Sequence, residues 1–319
     1  NINIKMTTIK KINKSNIKLA VKFLVEGNLA SFPTETVYGL GGDATNSLAI
    51  AKIYETKNRP IFNPLIIHFS SFDQIKENCE INDDVKKLSD LFWPGPMTII
   101  LKKKKDSKIC ELASAGLDTI GARIPNNKTA LELIKLFKKP IAAPSANTST
   151  SLSPTEANHV YEYFRKDKNL SIILDDGSTE IGLESTILHI VNNEIHILRH
   201  GGISTEKIKE NFPNIKIYDE QQKYKKIIAP GMLAKHYSPT VPLRINAKKA
   251  KKNELLIGFG PNYDSPNLSF KGDLTEAASN LFSFLAKYQK NYSKLAIAPI
   301  PNIGIGRAIN DRIKRASRN

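Results

Sequence analysis

Cysteine is nearly absent: Cys79 and Cys110 are too few for a disulfide framework, and no Cys/His cluster has zinc-finger spacing. No apolar run approaches the ~20 residues needed to cross a bilayer. The stretch from Asn1 to Leu19 holds lysines but lacks the roughly 7–15-residue apolar centre of a secretory signal. A cytoplasmic location without membrane contact is therefore expected. Three catalytic signatures are also missing. There is no Gly-x-x-x-x-Gly-Lys-[Ser/Thr], which excludes a P-loop enzyme. Gly39-Leu40-Gly41-Gly42 lacks the Gly-x-Gly-x-x-Gly spacing of a dinucleotide fold. Gly-x-Ser-x-Gly is absent, which removes the simplest serine-hydrolase reading.

Acidic residues are in deficit, 31 against 47 Lys/Arg, for a net charge of +16. The deficit is uneven: from Pro213 onward 19 Lys/Arg meet 7 Asp/Glu. Such asymmetry suits a polyanionic partner, with RNA contact as the candidate. It equally suits the Lys-, Ile- and Asn-rich usage of the whole chain. Hydrophobic content of 40% and charged content of 24% are those of a globular protein. A length of 319 residues allows one large domain or two smaller ones.

Helical periodicity runs from Lys14 to Glu26, Ser47 to Thr56, Phe72 to Asn78, Asp83 to Phe92 and Asn127 to Phe137. A further helix is expected after Ser153 as N-cap with Pro154 at its first position. Short apolar strands alternate with these, some as hairpins and some separated by helices. The fold class is therefore α/β: a twisted, mixed open sheet flanked by helices. Periodicity lapses from 213 to 240 and returns as a small α/β domain. The expected division is a catalytic part at 1–212, a linker or active-site lid at 213–240, and a C-terminal domain at 241–319.

The run from Ser31 to Asn46 stands out. Pro33 ends an apolar stretch, and hydroxyls, a carboxylate and a phenol follow (Thr34, Glu35, Thr36, Tyr38) before three glycines. We expect a strand–loop–helix unit whose glycines keep the backbone close to a ligand. Four more polar clusters sit at strand ends: Lys57 and Arg59 with His68; Thr119 with Arg123; Ser145 and Asn147 with Ser153; Ser185 with Arg199. Ligands of open α/β sheets bind at strand ends. Lys57, Arg59 and Arg199 suit an extended triphosphate, because guanidinium groups match phosphate oxygens. Arg123 on a strand suits a carboxylate. The set reads as a site for a nucleotide beside a small anion.

These residues lie in motifs that resemble a known family. Phe32 to Gly42, Lys57-x-Arg59-Pro60 with Asn63-Pro64-Leu65, Trp93-Pro94-Gly95-Pro96, Arg123-Ile124-Pro125, Pro144-Ser145-Ala146-Asn147 and Glu184-Ser185-Thr186 are similar to the YrdC-like domain. Ala229-Pro230-Gly231-Met232, His236-Tyr237-Ser238-Pro239 and the second domain resemble the long two-domain family of threonylcarbamoyl-AMP synthases. The resemblance implies an ATP-dependent nucleotidyltransferase that condenses L-threonine and bicarbonate with ATP, Mg²⁺ accompanying the nucleotide. Its product feeds a tRNA-modifying threonylcarbamoyl transferase complex.

By the same resemblance Thr36, His68, Arg123, Ala143 and Ser185 line the threonine site. Arg59, Asn63, Thr119, Ser145, Ser153 and Arg199 contact ATP. Lys57 joins Arg59 in facing phosphate or carbamate. Because carbamate and mixed anhydride are water-labile, we expect a lid, with the linker bearing Gly231, His236 and Tyr237 as its candidate. Two departures are visible: Thr150 where glycine is common, and His189 where aspartate is frequent. The competing reading is an RNA-binding or ribosome-assembly module, which explains the basic C-terminal third but not the five clusters.

Overall fold

The computed structural model describes residues 7–219, 229–230 and 237–318. The chain opens with β1 (Thr8–Lys11), α1 (Lys14–Val25), β2 (Leu29–Pro33), β3 (Tyr38–Asp43) and α2 (Ser47–Lys57). Then come β4 (Ile66–His68), α3 (Phe72–Asn78), α4 (Asp83–Phe92), β5 (Met97–Lys102), β6 (Thr119–Arg123), α5 (Lys128–Phe137) and β7 (Ile141–Ala142). The large unit ends with α6 (Ala157–Phe164), β8 (Leu170–Asp175), β9 (Thr186–Val191), β10 (Glu194–Arg199), α7 (Thr205–Asn211) and β11 (Ile217–Asp219). Local chemistry sets the helix starts. Asn13, Asn46, Ser71, Asn82 and Asn127 each accept a backbone N–H at a helix N-terminus through the side chain.

Among the described residues these strands form one mixed sheet of 11 strands, ordered β1-β8-β2-β3-β7-β4-β6-β5-β9-β10-β11. On one face α1 and α5 bury Ile17, Leu24, Leu133 and Ile134 against Phe32, Ile141 and Ile172. On the other face lies the main core, with Leu29, Tyr38, Leu40, Ile67, Phe69, Ile99 and Ile197. Neighbours in sequence thus serve opposite faces, as a pleated strand requires. A smaller parallel sheet, β12 (Leu243–Arg244), β14 (Leu295–Ile297) and β13 (Leu255–Ile257) in that order, packs with α8 (Leu274–Tyr288) and α9 (Gly306–Ala316) around its own core.

Four expectations need correction. Gly39 to Gly42 are not a loop: they lie in β3, paired antiparallel with β2 and ending on Pro33↔Tyr38. Glycine is there for close packing, since a Cβ on Gly41 would stand 2.6 Å from Phe32 and 3.1 Å from the Ala30 carbonyl. The helix expected at Pro154 starts later, at Ala157, and Ser153 does not cap it: its hydroxyl donates instead to the Glu184 carboxylate. The expected linker begins inside the large sheet, because Ile217–Asp219 add to β10 as a parallel strand. Three residues are too few for a periodicity signal. Of the expected lid, Gly231, Met232 and His236 lie outside the described residues, whereas Pro230 and Tyr237 are within them.

Candidate active site

A cavity opens where β3 and β9 begin and β4, β6 and β10 end. Thr36, Arg59, His68, Arg123, Ala143, Ser145, Ser185, Arg199 and Tyr237 all line it, together with Glu184 and Pro230. Register explains the grouping. In the β4–β6 pair His68 lies directly opposite Arg123, and β7 brings Ile141 against His68. Thr98 of β5 shares a 2.7 Å hydrogen bond with Ser185. A regular strand would send Leu198 and Arg199 to opposite faces. A bulge between Ile197 and Arg199 breaks the alternation, and both are buried: Leu198 packs with Ile66, Ile100 and Ile187, and Arg199 lines the cavity.

Arg123 is buried and makes a 2.7 Å ion pair with Glu35, while its Nη2 also donates to Thr36 Oγ1 at 3.0 Å. Among the described residues its Nε has no partner, nor has Oε2 of Glu35. Thr36 is held in turn by Thr34, hydroxyl to hydroxyl at 2.7 Å, and Thr34 closes the turn onto the Val37 carbonyl. His68 packs edge-to-face on Phe32, and its Nδ1 is unpartnered. Burial, with Arg123 adding to it, pushes its pKa down to about 3, so the ring is neutral at ordinary pH.

The other two arginines form a separate group. Arg59 donates through Nε to the Asn63 carbonyl (3.1 Å) and through Nη2 to the Pro64 carbonyl (2.8 Å). Arg199 grips Ser185 twice, Nε to the carbonyl at 3.0 Å and Nη2 to Oγ at 3.1 Å. Burial lowers the pKa of both, Arg59 to about 10. Both remain cationic at neutral pH. Fully desolvated guanidinium groups facing a cavity invite an anion.

Lys57, Asn63, Thr119 and Ser153 do not line the cavity. Lys57, the last residue of α2, is fully buried, and its amine donates to the carbonyls of Ser145 and Asn147. These bonds tie α2 to the Ser145 segment. Burial, then Arg59, drives its pKa well below the ordinary lysine value. Thr119 sits at the far end of β6, opposite Lys102, about 13 Å along the strand from Arg123. Asn63 is buried behind Arg59 with both amide atoms unpartnered. Ser153 reaches the cavity wall through Glu184.

Two participants were not singled out beforehand as site residues. Glu184 lines the cavity, and Arg312 of α9 donates to its Oε2 at 2.8 Å. Arg312 does carry a sequence signal: it falls on the apolar stripe Ala308, Ile309, Ile313, Ala316 of an otherwise basic helix, where a charge is out of place. Thr150, the departure from glycine, has a φ of +71°, so a β-branched residue holds a left-handed conformation there. His189 lies away from the cavity in β9, opposite His196.

Among the described residues no three His, Cys, Asp or Glu side chains gather as a metal site. No helix is long and apolar enough to cross a membrane.

Known proteins share this arrangement. The family described as "Telomere recombination" matches residues 22–201, and "Threonylcarbamoyl-AMP synthase, C-terminal domain" matches 203–318. The threonylcarbamoyl-AMP synthase of Pyrococcus abyssi is 36% identical, over 97% of this chain and 96% of its own. That of Bacillus subtilis is 35% identical over 96% and 94%. The crystal structure of P. abyssi Sua5 complexed with L-threonine superposes with a TM-score of 0.87 at 34% identity, covering 98% of this chain and 97% of that one. With matches over nearly its whole length and the same two-part fold, the chain belongs to the Sua5/YciO/YrdC family, in the form that carries the threonylcarbamoyl-AMP synthase C-terminal domain.

Proposed function

We propose that the cavity condenses L-threonine, bicarbonate (or CO₂) and ATP into threonylcarbamoyl-AMP and pyrophosphate. One observation carries the reading. A single cavity holds a carboxylate-type anchor, Arg123 beside Thr36 and a neutral His68, and two further buried arginines, Arg59 and Arg199, suited to phosphate. The L-threonine complex of the P. abyssi relative supports the first half.

Arg123 takes the threonine carboxylate on its unpartnered Nε, while Glu35 fixes the guanidinium plane. Neutral His68 and the Ser185 hydroxyl accept from the amino acid without repelling an ammonium, and Ala143 contributes backbone only. Burial favours the unprotonated amine. Its nitrogen bonds to the carbon of CO₂, losing a proton, and gives a carbamate. A carbamate oxygen then attacks the α-phosphorus as the bond to the bridging oxygen of the β-phosphate breaks, and pyrophosphate leaves. Arg59 and Arg199, with Ser145 beside them, offset the phosphate charge without moving. Asn63 and Ser153 support them from behind. Pro230 and Tyr237 cover the cavity and keep water from a labile anhydride.

The only carboxylate lining the cavity among the described residues, Glu184, is occupied by Ser153 and Arg312. A protein cage for Mg²⁺ is therefore not offered, and the ion would arrive on the phosphates. The mixed anhydride suits onward transfer to a tRNA adenosine by a cytoplasmic transferase.

The deciding assay is pyrophosphate release with threonine, with serine and without amino acid. Release should depend on threonine and bicarbonate, and Arg59→Ala should lower it by about 100-fold or more, the scale of losing one preorganised donor to a reacting group. Full activity of that variant would remove Arg59 from the phosphate role. Release without threonine would remove the reaction.

A further inference from the structure

The helix α9 belongs to the small sheet unit, yet one of its side chains ends at the wall of the cavity. Arg312 is completely buried, donates to Glu184 Oε2 at 2.8 Å, and lies over the ring of Tyr237 at 4.9 Å. Asp311 accepts from its Nη1 at 2.8 Å. Glu184 and Tyr237 both line the cavity, and Glu184 directly precedes Ser185, the residue that Arg199 grips.

Tyr237 holds a left-handed backbone, φ +63°, which a bulky residue keeps only when its surroundings impose it. The surroundings are Arg312 on one side, Phe282 at 5.8 Å on another, and the Ser238 N–H bonded to the Thr150 carbonyl at 2.8 Å.

We propose that Arg312 is a positioning residue for the nucleotide half of the site: it neutralises Glu184 and seats Tyr237, so that Arg199 meets a triphosphate without an opposing charge beside it. This rests on reading the cavity as one that uses ATP and threonine. Without Arg312, Glu184 is a buried carboxylate pointing along a surface built for phosphate. Either it repels the nucleotide or it takes up a proton, and in both cases the pairing that orders Ser153 and Tyr237 is lost. The small unit then does more than cover the large sheet: it supplies a charge that the phosphate site needs. Of the threonine end only Ser185, next to Glu184 in the chain, adjoins this pairing, while Arg123, Thr36 and His68 lie on other segments, so threonine binding should be affected far less.

The test uses the full chain in five forms: unmodified, Arg312→Gln, Arg312→Lys, Glu184→Gln, and the double variant Glu184→Gln/Arg312→Gln. Binding of a non-hydrolysable ATP analogue and of L-threonine is measured by calorimetry, and KM for ATP and kcat by pyrophosphate release. Arg312→Gln should weaken the analogue about 10-fold or more and raise KM for ATP alike, with threonine affinity within about 2-fold, since tenfold corresponds to only ~1.4 kcal/mol and an unpaired buried charge costs more. Arg312→Lys should be intermediate. The double variant should recover most of the lost affinity, because it leaves no buried charge unpaired.

Unchanged analogue binding in Arg312→Gln would overturn the proposal. So would an equal loss for Arg312→Gln in the Glu184 and Gln backgrounds, which would make Arg312 mere packing. If Arg312→Gln does not fold, the double variant against Glu184→Gln decides: near-equal binding supports the proposal, a 10-fold gap overturns it. An unmodified protein that binds the analogue but shows no threonine-dependent release would sink the activity, while the binding comparison would still judge Arg312.

Discussion

His68 shows what one side chain concedes to its place. Its ring packs edge-to-face on Phe32, Arg123 lies opposite it in the strand pair, and burial, then Arg123, holds its pKa at about 3 against an ordinary 6.5. The unfolded chain therefore binds a proton between pH 6.5 and 3 that the folded chain refuses. The stability due to this group is complete above pH 6.5 and is lost as pH falls toward 3, by at most about 5 kcal/mol. A His68→Asn variant, which has nothing to titrate, should show a shallower fall of melting temperature over that window than the unmodified protein. Parallel melting curves would refute the assignment. That His68 sits at a strand tip was readable from Leu65 to Phe69. That its ring is neutral was not, because its pKa depends first on burial by distant segments and then on Arg123, 55 positions away in the chain.

Strand β3 carries the same lesson at the scale of an element. Tyr-Gly-Leu-Gly-Gly-Asp looks like a turn, since glycine is poor strand material. It is a strand because Tyr38 and Leu40 fill the main core on one side, while on the other Phe32 and Ile141 leave no room for a Cβ at Gly41. Gly41→Ala should therefore cost about 1–3 kcal/mol in urea titrations. Gly39→Ala, with only Ala143 near at 3.2 Å, should cost less. Equal costs would mean that backbone freedom, not space, selects glycine here. Helices α1 to α5, by contrast, were legible almost to the residue, because apolar spacing and Asn or Ser caps are local signals; α6 starts later than expected and α7 was not foreseen. The bulge that turns Arg199 inward was not, because it exists only in the pairing of β10 with β9.

At the scale of the molecule, the segment before Ser185 joins the two units. Ile181 and Gly182 donate their N–H groups to the carbonyls of Glu35 and Thr36, at 2.9 and 3.1 Å. On its other side Gly182 lies against the backbone of α8: at φ +73° a Cβ there would stand 2.6–2.8 Å from Ala278 and Ser279. Gly182→Ala should wedge the units apart, lower stability by about 2 kcal/mol or more, and reduce pyrophosphate release, since it disturbs the backbone of Thr36 and the approach of Arg312 together. Normal melting and normal turnover would show that the units tolerate separation. The basic surplus of the last third looks different in this light, for one of its arginines is wholly buried and serves the cavity instead of a polyanion.

By itself the sequence determined the α/β rhythm, the two-part organisation and most of the polar groups that meet in the cavity, because these rest on periodicity, capping and motif spacing along the chain. Only the tertiary structure decided which of them line the cavity. Lys57 turns to two carbonyls, Thr119 sits at the opposite end of its strand from Arg123, and Glu184 and Arg312 meet across 128 positions. The physical reason is that charge, burial and hydrogen bonding of a side chain are set by neighbours in space, and those neighbours come from strands whose order, β3-β7-β4-β6-β5-β9-β10, is not the order of the chain.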